Sequence, residues 1–71
     1  MFISLKGENG KDVLINAERI DGIVETSNST VQNPVSKIFI GGSDVPYYVK
    51  ASIKDITKKL VEGGKNIRWL E

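Results

Sequence analysis

The spacing of apolar residues changes near residue 52, and this change predicts where strands give way to a helix. Between Val45 and Lys50 the apolar or aromatic residues Val45, Tyr47 and Val49 occupy every second position. This alternation is expected of a strand with one buried face. From residue 52 to residue 62 the apolar residues instead recur at helical spacing, with the charged residues outside their arc. The apolar set is Ile53, Ile56, Leu60 and Val61. The pattern predicts one amphipathic helix over about residues 52–62.

Residues at the start and the end of this helix are of types that cap helices. Ser52 can accept a hydrogen bond from the backbone N–H of Asp55, whose carboxylate lies in the first turn, where the helix dipole favours negative charge. Gly63 and Gly64 supply a left-handed stop at the other end. A helix of about three turns depends mostly on packing, so the preceding chain must provide a sheet for it to cover.

Shorter alternating segments before the helix predict five strands, at about residues 2–6, 11–15, 20–26, 37–40 and 45–50. Asn9-Gly10 predicts a hairpin between the first two, because both residue types tolerate positive φ. Ile20 and Ile23 are three residues apart, so they can share a face only if a β-bulge intervenes. Gly22 is suited to permit one.

Polar segments separate the strands. Asn16 begins a break over residues 16–19 and can bond to the local backbone. Residues 26–36 are small and polar, and they predict a loop. The segment from Gly41 to Asp44 predicts a tight hairpin turn rather than a phosphate loop, because phosphate loops place a helix directly after their glycines.

Together these elements predict an α+β fold in a single domain, residues 1–71. About five antiparallel strands in meander order would form the sheet, and the helix would pack on one face of it. Residues 66–70 alternate again and predict an additional edge strand. The face opposite the helix would expose apolar side chains, which we expect to form an oligomer interface. This candidate oligomer face is Phe2, Leu14, Phe39 and Tyr48.

Composition excludes several chemistries. The chain has no histidine and no cysteine, so it lacks the commonest general base, the commonest metal ligand and the thiol nucleophile. Its carboxylates are spread over turns and strands. We therefore expect no catalytic site, no metal, no cofactor and no enzymatic activity. A chain of 71 residues is also close to the lower limit for a self-sufficient core, which favours a homo-oligomer.

Charge and hydropathy bear on location and partners. No apolar run reaches membrane-spanning length, and the amino-terminal residues do not resemble a secretion signal, so we expect a cytoplasmic protein that does not use a membrane. Net charge is +1, with six basic and three acidic side chains in residues 45–71. This mild excess suits a solvated helix face and makes a nucleic-acid partner unlikely.

The best candidates for contacts to a ligand or partner lie near the carboxyl end. Trp69 is the one indole of the chain and Arg68 is a planar donor, and these residue types dominate binding hot spots. A simpler interpretation is that Ile67 and Trp69 dock on the sheet as a terminal strand. A site there would also use the turn at the end of the fourth strand, through Gly41, Gly42, Ser43 and Asp44.

Three segments resemble the FlbD-like family of small proteins associated with flagella and swarming, which has phage relatives. They are Asn9-Gly10-Lys11, residues 14–20 with Ile23, and Val49-Lys50-Ala51-Ser52. The resemblance implies a small β-rich domain that acts by binding and has no catalytic residues. The longer loop at 26–36 and the tail at 66–70 depart from the family pattern and suit a phage-borne or diverged member. A weaker resemblance is to LytTR-type DNA-binding domains.

Three functional hypotheses follow. The first is an oligomeric, non-enzymatic adaptor or regulator that binds a protein. The second is an oligomeric phage protein that sequesters a small nucleotide-type signal. The third is a LytTR-like nucleic-acid-binding domain, against which the charge distribution argues.

Overall fold

Five strands and one helix make up the regular structure in the computed structural model, which describes residues 1–65. The α+β class expected from the sequence is confirmed. Strands β1 and β2 form one antiparallel sheet, and β3, β4 and β5 form a second in that order. The bounds are β1 Phe2–Lys6, β2 Asp12–Asn16, β3 Ile20–Glu25, β4 Ser36–Ile40, β5 Tyr47–Val49 and α1 Ile53–Glu62.

The expected single meander sheet is divided into two sheets that meet at a corner. Between β2 and β3 the chain makes a 3₁₀ turn, Ala17–Arg19, in place of a hairpin. The sheets touch where Gly7 forms an isolated bridge with Val49, and the N–H of Lys50 donates to the carbonyl of Lys6 at 2.7 Å. The meander order therefore holds within β3 to β5, while β1 lies next to the last strand.

The first hairpin has a three-residue loop, so the predicted hairpin is present with a different turn. The N–H of Gly10 donates to the carbonyl of Gly7 at 2.9 Å, and the N–H of Gly7 donates to that of Lys11 at 2.7 Å. Gly10 has a φ of 84°, whereas Asn9 keeps a negative φ and accepts from the N–H of Lys11 through its side chain at 3.0 Å. This is a type I turn followed by a left-handed glycine. Of the two residues that tolerate positive φ, only Gly10 adopts it.

A β-bulge lies where the spacing of isoleucines predicted one. The pairing of β3 with β4 shifts register between Ile20 and Gly22, which leaves Asp21 as the extra residue. As a result Ile20 and Ile23 both turn toward the core and pack partly buried against it. The prediction of a bulge at Gly22 is confirmed.

The core lies between the two sheets and one face of α1. Its buried residues are Ile3, Leu5, Ile15, Ala17, Ile38, Val49, Ala51, Ile56 and Leu60. The helix differs from expectation at its margin, because Thr57 is buried and Val61 is 51% exposed. Thr57 lies between Ile53 and Leu60 on the helix surface, and its hydroxyl donates to the carbonyl of Ile53 at 2.6 Å, which satisfies the buried oxygen.

Helix α1 ends in a Schellman motif. The N–H of Gly64 donates to the carbonyl of Val61 at 2.9 Å, and the N–H of Lys65 donates to that of Leu60 at 3.0 Å. The left-handed residue is Gly64, with a φ of 96°, while Gly63 has a φ of −83°. The predicted glycine stop is therefore formed by the second glycine. No helix among residues 1–65 has the length and apolar content needed to span a bilayer.

The start of α1 has the predicted cap. The hydroxyl of Ser52 accepts from the N–H of Asp55 at 3.1 Å. We expect Ser52→Ala to lower the free energy of unfolding by about 1 kcal/mol, because the amide of Asp55 loses its acceptor. Urea denaturation followed by circular dichroism measures the change. Ser27→Ala, at an exposed loop position, serves as the control, and equal midpoints for the two variants would contradict the capping role.

Candidate functional site

The structure describes some of the residues that the sequence singled out for binding. Arg68, Trp69 and the possible edge strand at 66–70 lie outside the described residues. The turn from Gly41 to Asp44 and the four residues of the candidate oligomer face lie within them. The candidate sites are therefore these surfaces and a groove that the sequence did not predict.

The connection from β4 to β5 runs over residues 41–46, so it is longer than the tight hairpin turn predicted for Gly41 to Asp44, and Val45 lies in it instead of in the strand. The N–H of Ser43 donates to the carbonyl of the residue three positions earlier at 3.1 Å, and Gly42 has a φ of 83°. The N–H of Gly41 donates to the carbonyl of Arg19 at 2.8 Å, and Nη2 of Arg19 donates to the carbonyl of Gly41 at 2.9 Å. Two amide groups of the turn are thus already used within the chain, which leaves few donors for a bound anion.

Phe2 and Leu14 lie on the outer face of the first sheet. Phe2 is 61% exposed and Leu14 is 67% exposed. Leu14 is opposite Ser4, and Phe2 is opposite Asn16, so the two apolar side chains are diagonal neighbours at roughly 7–8 Å. Farther along β1 the outer face is polar, with Ser4 and then Lys6.

Phe39 and Tyr48 lie on the outer face of the second sheet, together with Val24. Lys37 is opposite both Val24 and Tyr48, and Phe39 follows in the next row. The exposed fractions are 49% for Val24, 39% for Phe39 and 43% for Tyr48. We call Val24, Phe39 and Tyr48 the outer patch.

The candidate oligomer face is thus divided between two sheets. Phe2 and Leu14 belong to one outer face, and Phe39 and Tyr48 belong to the other. Val24 was not among the residues singled out from the sequence. The bulge that turns Ile23 inward also turns Val24 outward, so the spacing of isoleucines already contained the signal for it.

A groove lies between β1 and α1. The chain pairs with the end of β1 as far as Lys50 and then leaves it, because Ser52 begins the helix. Helix α1 runs back beside β1, so that its end approaches Met1 at Gly63. The groove has a volume of about 550 Å³. Its lining residues are Ser4, Leu5, Lys6, Asp12, Lys50, Ala51, Asp55, Lys58, Lys59 and Glu62.

The charged wall of this groove comes from one side of α1. Asp55, Lys58, Lys59 and Glu62 are spaced three or four residues apart and therefore share a helix face. On the opposite side, Lys6 forms an ion pair of 2.7 Å with Asp12. The sequence shows the helical spacing of these charges. It does not show that β1 faces them, since that depends on the path of the chain after Lys50.

A cluster around Glu18 fastens the segment after α1 to the 3₁₀ turn. The carboxylate of Glu18 accepts hydrogen bonds from Nζ of Lys65 and from the amino group of Met1, the latter at 3.3 Å. These neighbours, Lys65 foremost, hold the pKa of the Glu18 carboxyl below its ordinary value. The group is exposed, so the ion pairs add little to stability. Glu18 stays ionised at neutral pH and does not suit proton transfer.

Two further observations limit the chemistry. Within residues 1–65 no group of three or more acidic side chains is close enough to hold a metal ion. The start of α1 is occupied by its own chain, since the carboxylate of Glu25 accepts from the N–H of Ile53 at 3.4 Å and the hydroxyl of Ser52 accepts from the N–H of Asp55 in the same first turn. The exposed surfaces and the groove thus remain the candidate sites.

Comparison with known proteins adds no relative. No family model, curated protein or solved structure matches the chain. The function must therefore be inferred from its residues and their contacts.

Proposed function

We propose that this chain is a small non-enzymatic binding protein of the cytoplasm, which acts as an interaction adaptor or regulator and assembles with copies of itself through the outer patch. The observation that supports this proposal is the row of half-exposed apolar side chains on the outer face of the second sheet. The resemblance to the FlbD-like family, including its phage members, agrees with a role in binding.

The outer patch has the properties of an interface core. Val24, Phe39 and Tyr48 lie on three adjacent strands, so their side chains form one surface. The aliphatic part of Lys37 lies between two of them and can be covered while its ammonium reaches water. Full burial of one such apolar side chain contributes roughly 1.5–3 kcal/mol. Covering the exposed halves of three on each subunit therefore contributes roughly 4.5–9 kcal/mol, before the cost of association is subtracted.

Self-association also compensates for a small core. Nine apolar residues form the buried cluster within the described part of the chain. Domains of this size commonly gain stability from disulfides, metals or oligomerisation. The chain has no cysteine and therefore no disulfide, and burying the outer patch against a second subunit would add to the buried apolar area. An oligomer presents its remaining surfaces in several copies, which agrees with the proposed adaptor role.

The experiment compares two double variants by native mass spectrometry and sedimentation velocity. We expect the unmodified chain to be oligomeric at tens of micromolar. Phe39→Thr with Tyr48→Thr should weaken association at least tenfold, since a loss of ~1.4 kcal/mol is sufficient for that change. Phe2→Thr with Leu14→Thr removes the same number of exposed apolar side chains from the first sheet, and it should leave the oligomer intact.

Circular dichroism of both double variants checks that they remain folded. A monomer for the unmodified chain at all concentrations would refute self-association. Loss of the oligomer only in the Phe2 and Leu14 variant would move the interface to the first sheet. Native mass spectrometry also reports any retained small molecule, so it tests the nucleotide-sequestering alternative in the same measurement.

A further inference from the structure

The first half of β1 has one edge without a strand partner. The N–H of Gly7 donates to the carbonyl of Lys11, and the N–H of Ala17 donates to the carbonyl of Met1. The backbone N–H and carbonyl groups of the odd-numbered residues of β1 therefore point toward β2. The backbone N–H and carbonyl groups of the even-numbered residues point away from β2, and on that side the carbonyl of Lys6 accepts from the N–H of Lys50.

Ser4 follows the same alternation and therefore directs its N–H and carbonyl toward the groove. Among residues 1–65 neither group has a hydrogen-bond partner. The cause is the departure of the chain into α1. If β5 continued beyond Lys50 it would pair with Ser4, but Ser52 begins the helix instead. An unpaired strand edge of this kind is a template for a further strand.

The groove has the dimensions of a short extended peptide. The five residues of β1 span about 17 Å, and the ten residues of α1 span about 15 Å. The strand edge and the helix wall that line the groove are therefore of similar length, about that of a five-residue extended peptide. The volume of about 550 Å³ lies in the range of roughly 300–1,000 Å³ usual for binding sites.

The charges of the groove favour an acidic occupant. Its four lysines exceed its three acids, and one of those acids, Asp12, is already paired with Lys6. Lys50, Lys58 and Lys59 make no ion pair within residues 1–65. Around the strand edge, three ammonium groups are thus free to contact a ligand, whereas two carboxylates, those of Asp55 and Glu62, would repel an acidic one.

We propose that this groove binds an extended peptide segment with acidic side chains, which adds to β1 as a strand. The peptide backbone pairs with the N–H and carbonyl of Ser4, and its carboxylates contact Lys58 and Lys59 on α1. Backbone pairing gives affinity in this mode of recognition, and the alternate side chains give specificity. The groove is separate from the outer patch, so the two sites can be occupied together.

The probe is a hexapeptide of alternating threonine and glutamate, titrated into the full chain and followed by amide chemical shifts. We expect the shifts to concentrate at Ser4, Lys58 and Lys59. At saturation the amide of Ser4 should exchange with solvent at least tenfold more slowly, because the peptide supplies its acceptor. Two control peptides are used. One carries lysine in place of glutamate, and the other carries N-methyl groups on every backbone nitrogen.

Matched variants separate the groove from general charge attraction. Lys58→Gln with Lys59→Gln should weaken binding at least threefold, in line with the loss of two exposed ion pairs. Lys11→Gln with Lys54→Gln removes the same charge from outside the groove and should change affinity less than twofold. The titration is repeated with the Phe39→Thr and Tyr48→Thr variant, so that its result does not depend on self-association.

Three results would overturn the proposal. The first is equal affinity for the fully N-methylated peptide, which has no N–H to donate to the carbonyl of Ser4. The second is equal weakening by the two lysine pairs. The third is slow exchange of the Ser4 amide in the free chain, comparable with that of Ile3, since the edge would then already be covered.

Discussion

Ile38→Ala is expected to lower the free energy of unfolding by about 2–5 kcal/mol. Ile38 is fully buried in the middle of β4, the central strand of the second sheet, where it lies opposite Ile23 and Tyr47. Truncation of the Ile38 side chain removes apolar contacts and leaves a cavity in the core beside β3 and β5. Small domains have a total stability of roughly 0.05–0.15 kcal/mol per residue, so this one change removes a large part of it.

Urea denaturation with circular dichroism measures the loss for Ile38→Ala. Val31→Ala is the control, because Val31 is 100% exposed in the loop between β3 and β4. It should change stability by less than about 0.5 kcal/mol. A loss for Ile38→Ala no larger than that of the control would show that β4 is not at the centre of the core.

Ser36→Ala is expected to lower the free energy of unfolding by about 1–3 kcal/mol. Ser36 is fully buried, and its hydroxyl donates to the carbonyl of Ala51 at 2.6 Å. Alanine leaves that carbonyl without a donor in a buried place. The contact joins the start of β4 to the point where the chain leaves β5 for α1, so the variant should also loosen the wall of the groove.

Hydrogen exchange tests the local part of this prediction for Ser36→Ala. The amides of Ile53 and Asp55 should exchange faster than in the unmodified chain under native conditions, while the amide of Ile3 should change only with global stability. Ser27→Ala again serves as the control. Equal midpoints for Ser36→Ala and Ser27→Ala would mean that the buried hydrogen bond contributes nothing to the fold.

The features that the sequence predicted correctly depend on residues close together in the chain. The cap at Ser52 involves a residue three positions away, and the hairpin at Gly10 closes within five residues. The bulge near Gly22 follows from the spacing of two isoleucines. In each case the local geometry and the hydrophobic pattern lead to the same structure, so tertiary contacts did not need to be known.

The features that the sequence did not predict depend on residues far apart in the chain. The corner between the sheets joins Lys6 to Lys50, and the junction before α1 is held by Ser36 and Ala51. Ser36 was assigned to a polar loop, because a serine next to a proline-containing segment carries no sign of burial. The groove arises where β1 and α1 come together, which no single segment specifies.

The corner between β1 and β5 also has a consequence for synthesis on the ribosome. The hairpin of β1 and β2 can form early, but its Lys6 carbonyl must wait for Lys50 and the strand before it to emerge. Pairing of such distant segments slows folding. Until it occurs, the nascent hairpin has its full outer edge exposed to other chains, which is an aggregation hazard. Translation speed through residues 47–62 should therefore affect the yield of folded protein more than speed through the first hairpin.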